Sequence, residues 1–247
     1  MANICRFSQK LLMIAIALSP HKTDLEQISK FSVNNIELKF WSDFMPTREN
    51  VRKVEKSVKG YDFNVVSSHL PNYHINKRKE DVEQMKKAIG NILTCFDAKI
   101  FVMHCLYGNR EVMVENLKIL DEWLDKNEIF LAIENLRSKG ANLRTPGDLQ
   151  YMHFEEFSNI GFCLDTSHVV DIDDLWIFLK HASHMHISDF NNEEVHLPLG
   201  SGVVDWKRFF KESRSYTGYF VIEYLSKYLT KKNIDKTLEI LRKYGAI

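Results

Sequence analysis

Cysteine is scarce in this chain, and the four present (Cys5, Cys95, Cys105 and Cys163) form no Cys-x-x-Cys pair, so neither a disulfide framework nor a zinc knuckle is expected. A reducing cytoplasm is the compartment this usage implies. Proline and glycine are also sparse, at 5 and 10 of 247 residues, and no low-complexity tract or Gly/Pro/Ser-rich linker interrupts the sequence. No internal domain boundary is expected, and residues 1–247 read as one domain. Excess charge is missing too: 33 basic residues balance 33 acidic ones, so no global field draws the protein to nucleic acid or an anionic membrane. The apolar run 11–18 (LLMIAIAL) has too few residues to cross a bilayer. It follows Arg6 and Lys10 as the apolar part of a signal peptide would, but Pro20 and a helix start at Thr23/Asp24 make it a strand-to-helix turn instead. Removing it would delete one strand from a count that otherwise closes.

What is present is alternation. A chain of this length suits one (β/α)8 barrel as well as two small domains, and the repeat decides between them. Short apolar runs stand at 11–18, 35–40, 63–68, 99–104, 129–134, 160–165, 184–188 and 219–224. They are rich in Val and Ile, as parallel strands covered on both faces are. Longer amphipathic stretches separate them. In 79–94, Val82, Met85, Ala88, Ile89, Ile92 and Leu93 share one helical face. Thr145-Pro146-Gly147-Asp148 predicts a helix from there to about Phe157, and Asp205 before Trp206 predicts another start. The expected fold is a single (β/α)8 TIM barrel.

The chemistry-bearing residues stand at strand ends. His69, His104, Glu134, Asp165 with His168, His186 and Glu223 lie at or just after the C-terminal ends of six of the eight runs. In a parallel barrel those ends open on one face, so residues distant in sequence converge there. Alternation places Phe130 and Ala132 below Glu134 inside the barrel, with Leu131 and Ile133 toward the helices; Tyr219 and Val221 lie likewise below Glu223. A buried carboxylate costs several kcal/mol unless it is paired or bound to metal. A divalent cation held by Glu134, Asp165, His186 and Glu223 satisfies that requirement, and three carboxylates with one imidazole suit Mn2+, Mg2+ or Zn2+. A structural salt-bridge network is the bland alternative. His184 shares the inward parity of His186 one layer deeper, as a supporting or core residue, while His21, His74, His153 and His181 read as ordinary.

The segments AIEN (132–135), CLDTSH (163–168), HMHISD (184–189), HLPLGSG (196–202) and VIEY (221–224) resemble the xylose isomerase-like barrel superfamily over nearly the whole chain. That superfamily includes sugar and sugar-phosphate isomerases and epimerases as well as abasic-site nucleases of the endonuclease IV type. The resemblance implies one catalytic metal on Glu134, Asp165, His186 and Glu223, with His168 binding substrate or a further metal. The isomerase branch implies a metal-stabilised enediolate with Glu134 and Glu223 as acid and base, and His69, His104 and His196 on substrate hydroxyls. Arg137, three residues past Glu134, is placed to reach a phosphate. Arg137 also reads as a plain loop arginine. The nuclease branch implies three zinc ions, with further ligands at His69, His104, His168, His196 and Glu194, the last in place of that branch's aspartate. Against it stand the neutral charge, the segment SPHKTD where that branch has glycines, and shortened DNA-contacting loops. The expected partner is therefore a small-molecule sugar or sugar phosphate, with nucleic acid only under the alternative and no membrane. A binder without activity ranks third.

Overall fold

The computed structural model describes residues 14–75, 79–104 and 108–247, without the side chains of Lys22 and Thr23. Eight strands alternate with eight helices: β1 Ile14–Leu18, α1 Lys22–Ile28, β2 Asn35–Lys39, α2 Arg48–Val58, β3 Asn64–His69, α3 Lys79–Leu93, β4 Ile100–His104, α4 Arg110–Lys126, β5 Phe130–Glu134, α5 Pro146–Met152, β6 Ile160–Asp165, α6 Ile172–Phe178, β7 Ala182–Ile187, α7 Trp206–Glu212, β8 Phe220–Ile222 and α8 Lys231–Lys243. Every strand pairs in parallel with its sequence neighbours, and β1 closes on β8 through Ile14/Phe220, Ala15/Val221 and Ile16/Ile222. The result is a single (β/α)8 barrel. Of the predicted first strand, residues 11–13 lie outside the described residues, and Cys5 and Cys105 do as well.

The local reasons for these elements are visible in the sequence. Helix α2 buries Val51, Val54 and Val58, and α3 buries Val82, Met85, Ala88, Ile89 and Ile92, both at helical spacing. The Asp205 side chain accepts from Arg208 N–H and starts α7 as expected. The helix predicted from Thr145 is shorter than expected. The Asp148 carboxylate accepts from Thr145 N–H at 2.8 Å, but α5 ends at His153 in the left-handed conformation (φ 47°), and 154–156 form a separate 3-10 turn. Helix α1 begins at Lys22, one residue before the expected Thr23 start.

Two apolar layers result, and they differ in content. The outward side chains of the strands, among them Ile16, Ile36, Leu38, Phe101, Leu131, Phe162, Met185 and Ile222, merge with the helix faces into one large core. Among the described residues, the barrel interior holds two small apolar clusters, Ala15–Ala17–Val221 and Val102–Ala132–Cys163. Phe130 and Tyr219 pack at their edges, as alternation below Glu134 and Glu223 requires. The rest of the interior is polar: Glu37, Ser67, His69, Glu134, Asp165, His184 and His186 are all buried. Among the described residues, no helix is long and apolar enough to cross a membrane.

Candidate metal centre

Strand register brings the predicted residues to one level. His104 pairs with Glu134 across β4/β5, Asp165 with His186 across β6/β7, and Glu223 follows β8 directly. One ligand-capable atom from each of Glu134, Asp165, His186 and Glu223 lies within 4.8 Å of the other three. All four residues are buried. Glu134 Oε1, Asp165 Oδ2, His186 Nδ1 and Glu223 Oε2 are each buried without a hydrogen bond. His186 Nδ1 and Glu223 Oε2 stand only 2.6 Å apart without hydrogen-bond alignment. Each of the four side chains thus has a buried atom without a hydrogen bond, and all four side chains bring a ligand-capable atom to one place. The donor set fits a divalent cation.

The histidines complete the ring. His69 Nε2 lies 2.9 Å from Glu134 Oε2, and His104 Nε2 lies 3.5 Å from the same oxygen. His168 Nδ1 is 3.1 Å from Glu134 Oε1 and 3.2 Å from Asp165 Oδ2. His196, at φ 55°, directs Nδ1 to within 3.2–3.4 Å of Ser167 Oγ, Ser188 Oγ and the Glu223 carbonyl oxygen. Four further sets of ligand-capable atoms adjoin the central one: the histidine sets His69–His104–Glu134 and Asp165–His168–His196, and, through His186, Glu37–His184–His186 and Glu134–Cys163–His186. Glu194 does not join them. Its carboxylate accepts from Tyr228 Oη at 2.7 Å and pairs with Lys227, because the 189–197 turn, pinned by the Asp189/Leu197 bridge, points it outward.

Electrostatics follow from this crowding. Burial alone would raise the pKa of Glu134, but His104 and His186 outweigh it and hold the carboxyl well below its ordinary range. Lys39 and His186 do the same for Glu223 against its burial. Burial disfavours a charged His168, yet Asp165 and Glu134 raise its pKa to about 9. Burial lowers His104. His168 and Lys39 thus carry positive charge that balances the carboxylates within the protein, and a cation at the centre would displace protons from such histidines.

A cavity of about 290 Å³ opens above the ring, lined by Lys39, Trp41, His104, His168, His196 and Glu223 among others. His69 is buried behind Glu134 and does not line it, so its expected contact with a substrate hydroxyl has no opening here. Arg137 does not line it either; its guanidinium lies 5.3 Å from the Phe190 ring centroid. Among the described residues, the lysine or arginine that does line it is Lys39, which pairs with Glu223 and sits 4.6 Å from the Trp41 ring centroid. Two larger grooves, of about 920 and 940 Å³, lie instead at the N-terminal ends of β5–β8, the face where barrels carry stability, not catalysis.

The sequence reading missed Glu37 and Lys39. Both are on β2, whose alternation of Ile36, Leu38 and Phe40 with Glu37 and Lys39 resembles that of a half-exposed strand. In a barrel covered on both faces, the charged members have only the interior to face, and that was the available signal. The glycine-rich segment after β7 also has a local cause. Asp189 accepts from the N–H groups of Phe190, Gly200 and Val204 and from Trp206 Nε1 at 2.9–3.1 Å, which folds the segment back beneath His196. A Cβ at Gly202 would collide with the Phe190 carbonyl oxygen and Asp189 Oδ1.

Comparison with known proteins agrees with this architecture. A curated protein of Methanocaldococcus jannaschii, described as uncharacterised, is 30% identical over 142 residues, covering 56% of this chain and 62% of its own length. The chain therefore spans less than two thirds of that relative. Among solved structures, a D-tagatose 3-epimerase-like protein superposes with a TM-score of 0.73 at 18% identity, covering 95% of this chain and 97% of its own. A 3-keto-D-glucoside 4-epimerase from E. coli gives 0.68 at 16% identity (96% and 100% covered), and a D-psicose 3-epimerase from Clostridium cellulolyticum H10 gives 0.65 at 12% (95% and 98%). At such identities the likeness concerns the fold. The family model for the xylose isomerase-like TIM barrel matches residues 25–244, and the chain belongs to that family.

Proposed function

We propose that this barrel is a divalent-metal-dependent isomerase or epimerase of a sugar or sugar phosphate. The observation that carries the reading is the convergence of four buried ligand-bearing side chains, each with an atom that has no hydrogen bond, beneath an open cavity at the C-terminal mouth of the barrel. Its volume lies at the small end of ligand sites and suits a single sugar unit. Mn2+, Mg2+ or Zn2+ bound by Glu134, Asp165, His186 and Glu223 would supply a Lewis acid for two neighbouring substrate oxygens. Glu134 and Glu223 would then face the hydroxyl-bearing carbon next to the carbonyl. One would remove its proton to give an enediolate, and the other would return a proton to the opposite face of that carbon (epimerisation) or to the former carbonyl carbon while the hydroxyl proton passes to the former carbonyl oxygen (isomerisation). Trp41 offers a flat apolar wall, while His104, His168 and His196 offer ring N–H groups to hydroxyls. Proteins of similar fold described as tagatose, psicose and ketoglucoside epimerases support the substrate class.

One observation favours a second reading: the two histidine sets adjoining the central one match the arrangement expected of a three-zinc abasic-site phosphodiesterase. The outward turn of Glu194 removes an acid from the third set, and the net charge of zero offers no phosphate-binding field. The isomerase reading is tested by incubating metal-loaded protein with ketoses, aldoses and their phosphates in D2O and following deuterium uptake at carbon by NMR. Uptake next to the carbonyl, lost in Glu134→Gln and Glu223→Gln, is expected. No exchange on any such sugar, together with metal-dependent incision of abasic duplex, would replace it with the second reading.

A further inference from the structure

Directly beneath the proposed ion, the barrel interior contains a carboxylate that packing does not require. Glu37 is fully buried on β2, paired with Ala17 of β1 and Ser67 of β3. A carboxylate in such a place costs several kcal/mol unless its partners are well arranged. Here they are. Ser67 Oγ donates to Glu37 Oε2 at 2.7 Å, and His184 Nε2 lies 3.3 Å from the same oxygen. A shift in register between β2 and β3 at Ile36/Glu37 is what sets Ser67 opposite Glu37. The other oxygen, Oε1, faces His186 Nε2 across 3.1 Å, and neither atom has a hydrogen bond.

The His186 ring therefore lies between two carboxylate environments. Its Nδ1 meets Glu223 Oε2 at 2.6 Å and Glu134 Oε2 at 3.6 Å, while its Nε2 meets Glu37. An imidazole that ligates through Nδ1 carries its proton on Nε2, and a carboxylate behind that proton fixes the tautomer and the ring plane and strengthens the ligand. We propose that Glu37 is the positioning residue of the metal centre: it orients His186 from behind and is itself held by Ser67 and His184. The inference rests on the metal-binding reading given above. It assigns to His184 the task of holding Glu37, not of ligating the ion.

Co2+ is the probe. Protein stripped with a chelator is titrated with Co2+ in competition with a chromophoric chelator, and the visible absorption of the bound ion is recorded for wild type, Glu37→Gln and Ser67→Ala. Glu37→Gln should bind Co2+ about 10–100-fold more weakly and shift its absorption bands, and Ser67→Ala should do so to a smaller extent. The melting temperature of metal-free Glu37→Gln should fall, because Ser67, His184 and His186 lose the carboxylate they face, so Co2+ binding is measured well below the transition of each variant. Unchanged Co2+ affinity and spectrum in Glu37→Gln would overturn the proposal while leaving the metal centre intact. A second wild-type Co2+ lost in Glu37→Gln would overturn it as well, by making Glu37 a ligand. Should Glu37→Gln not fold, Ser67→Ala decides, and an unaltered affinity and spectrum there refutes the role. A wild-type protein that binds no Co2+, Zn2+ or Mn2+ refutes the metal reading itself.

Discussion

Replacement of Asp189 by asparagine should destabilise the barrel far more than its distance from the proposed chemistry suggests. Its Oδ1 accepts from Phe190 N–H at 3.0 Å and Val204 N–H at 3.1 Å, and its Oδ2 accepts from Gly200 N–H at 2.9 Å and Trp206 Nε1 at 3.0 Å. Asparagine has the same shape but keeps one acceptor oxygen, and its NH2 group would face the other two donors. Each hydrogen bond to a charged group contributes about 1.5–3 kcal/mol, so losing two costs about 4 kcal/mol. For a chain of this size each kcal/mol shifts Tm by about 2–4 °C, which gives a fall of about 8–16 °C. Asp189→Ala, which leaves all four donors without this acceptor, should fall further. The assay is circular-dichroism melting of chelator-treated protein, with urea midpoints as a check on reversibility. A fall of less than about 3 °C would refute the view that this carboxylate organises the segment carrying His196.

Stability of the chelated protein should decline between pH 7 and 9. The folded protein holds the His168 proton up to about 9 against 6.5 when unfolded, so it binds more protons than the unfolded chain in that window. About 3 kcal/mol is present below 6.5 and lost as pH rises through 9; urea midpoints that stay level across the window would contradict the assignment. Glu134→Gln and Glu223→Gln should each lower turnover at least about a hundredfold while still folding, and near-normal turnover in either would show that these are not the acid and base. Metal analysis should find about one tightly held ion per chain in wild type and no loss in His69→Ala/His104→Ala; a count near three that drops in the double variant would favour the nuclease reading. Duplex DNA with an abasic site should not be cut above a metal-free control, whereas incision abolished by chelator and restored by zinc would reverse the order of the two readings.

The legible part of the fold was its period. Apolar runs such as FLAIE and IGFCLD are buried along their length and end on a carboxylate, so strand ends and site residues could be read together. Alternation correctly set Ala132 inside and Ile133 outside. It was less useful on β3, where the register shift opposite Glu37 moves Ser67 into line by a backbone irregularity that no spacing rule anticipates. The helix predicted from Thr145 stopped early because His153 takes a left-handed conformation, which the side-chain pattern does not encode. Glu37 and Lys39 were overlooked for another reason. They lie within a strand or at its last position, before Phe40, whereas the legible site residues close their apolar runs. Glu194 shows the limit of motif matching: its place two residues before His196 is right for the third set, but Lys227 and Tyr228 hold its carboxylate elsewhere.

The division of apolar material between the two layers has an evolutionary consequence. Burial of Ile36, Leu38, Phe101, Leu131, Phe162 and Met185 against the helices supplies most of what keeps the barrel folded. The two alanine- and valine-lined clusters inside supply little, and the space between them is given over to ionisable groups. Interior substitutions can therefore change the chemistry of the proposed site without eroding the shell that carries the fold. A barrel built this way has a stable exterior and a mutable interior, and selection can act on its chemistry and its stability through largely separate sets of residues.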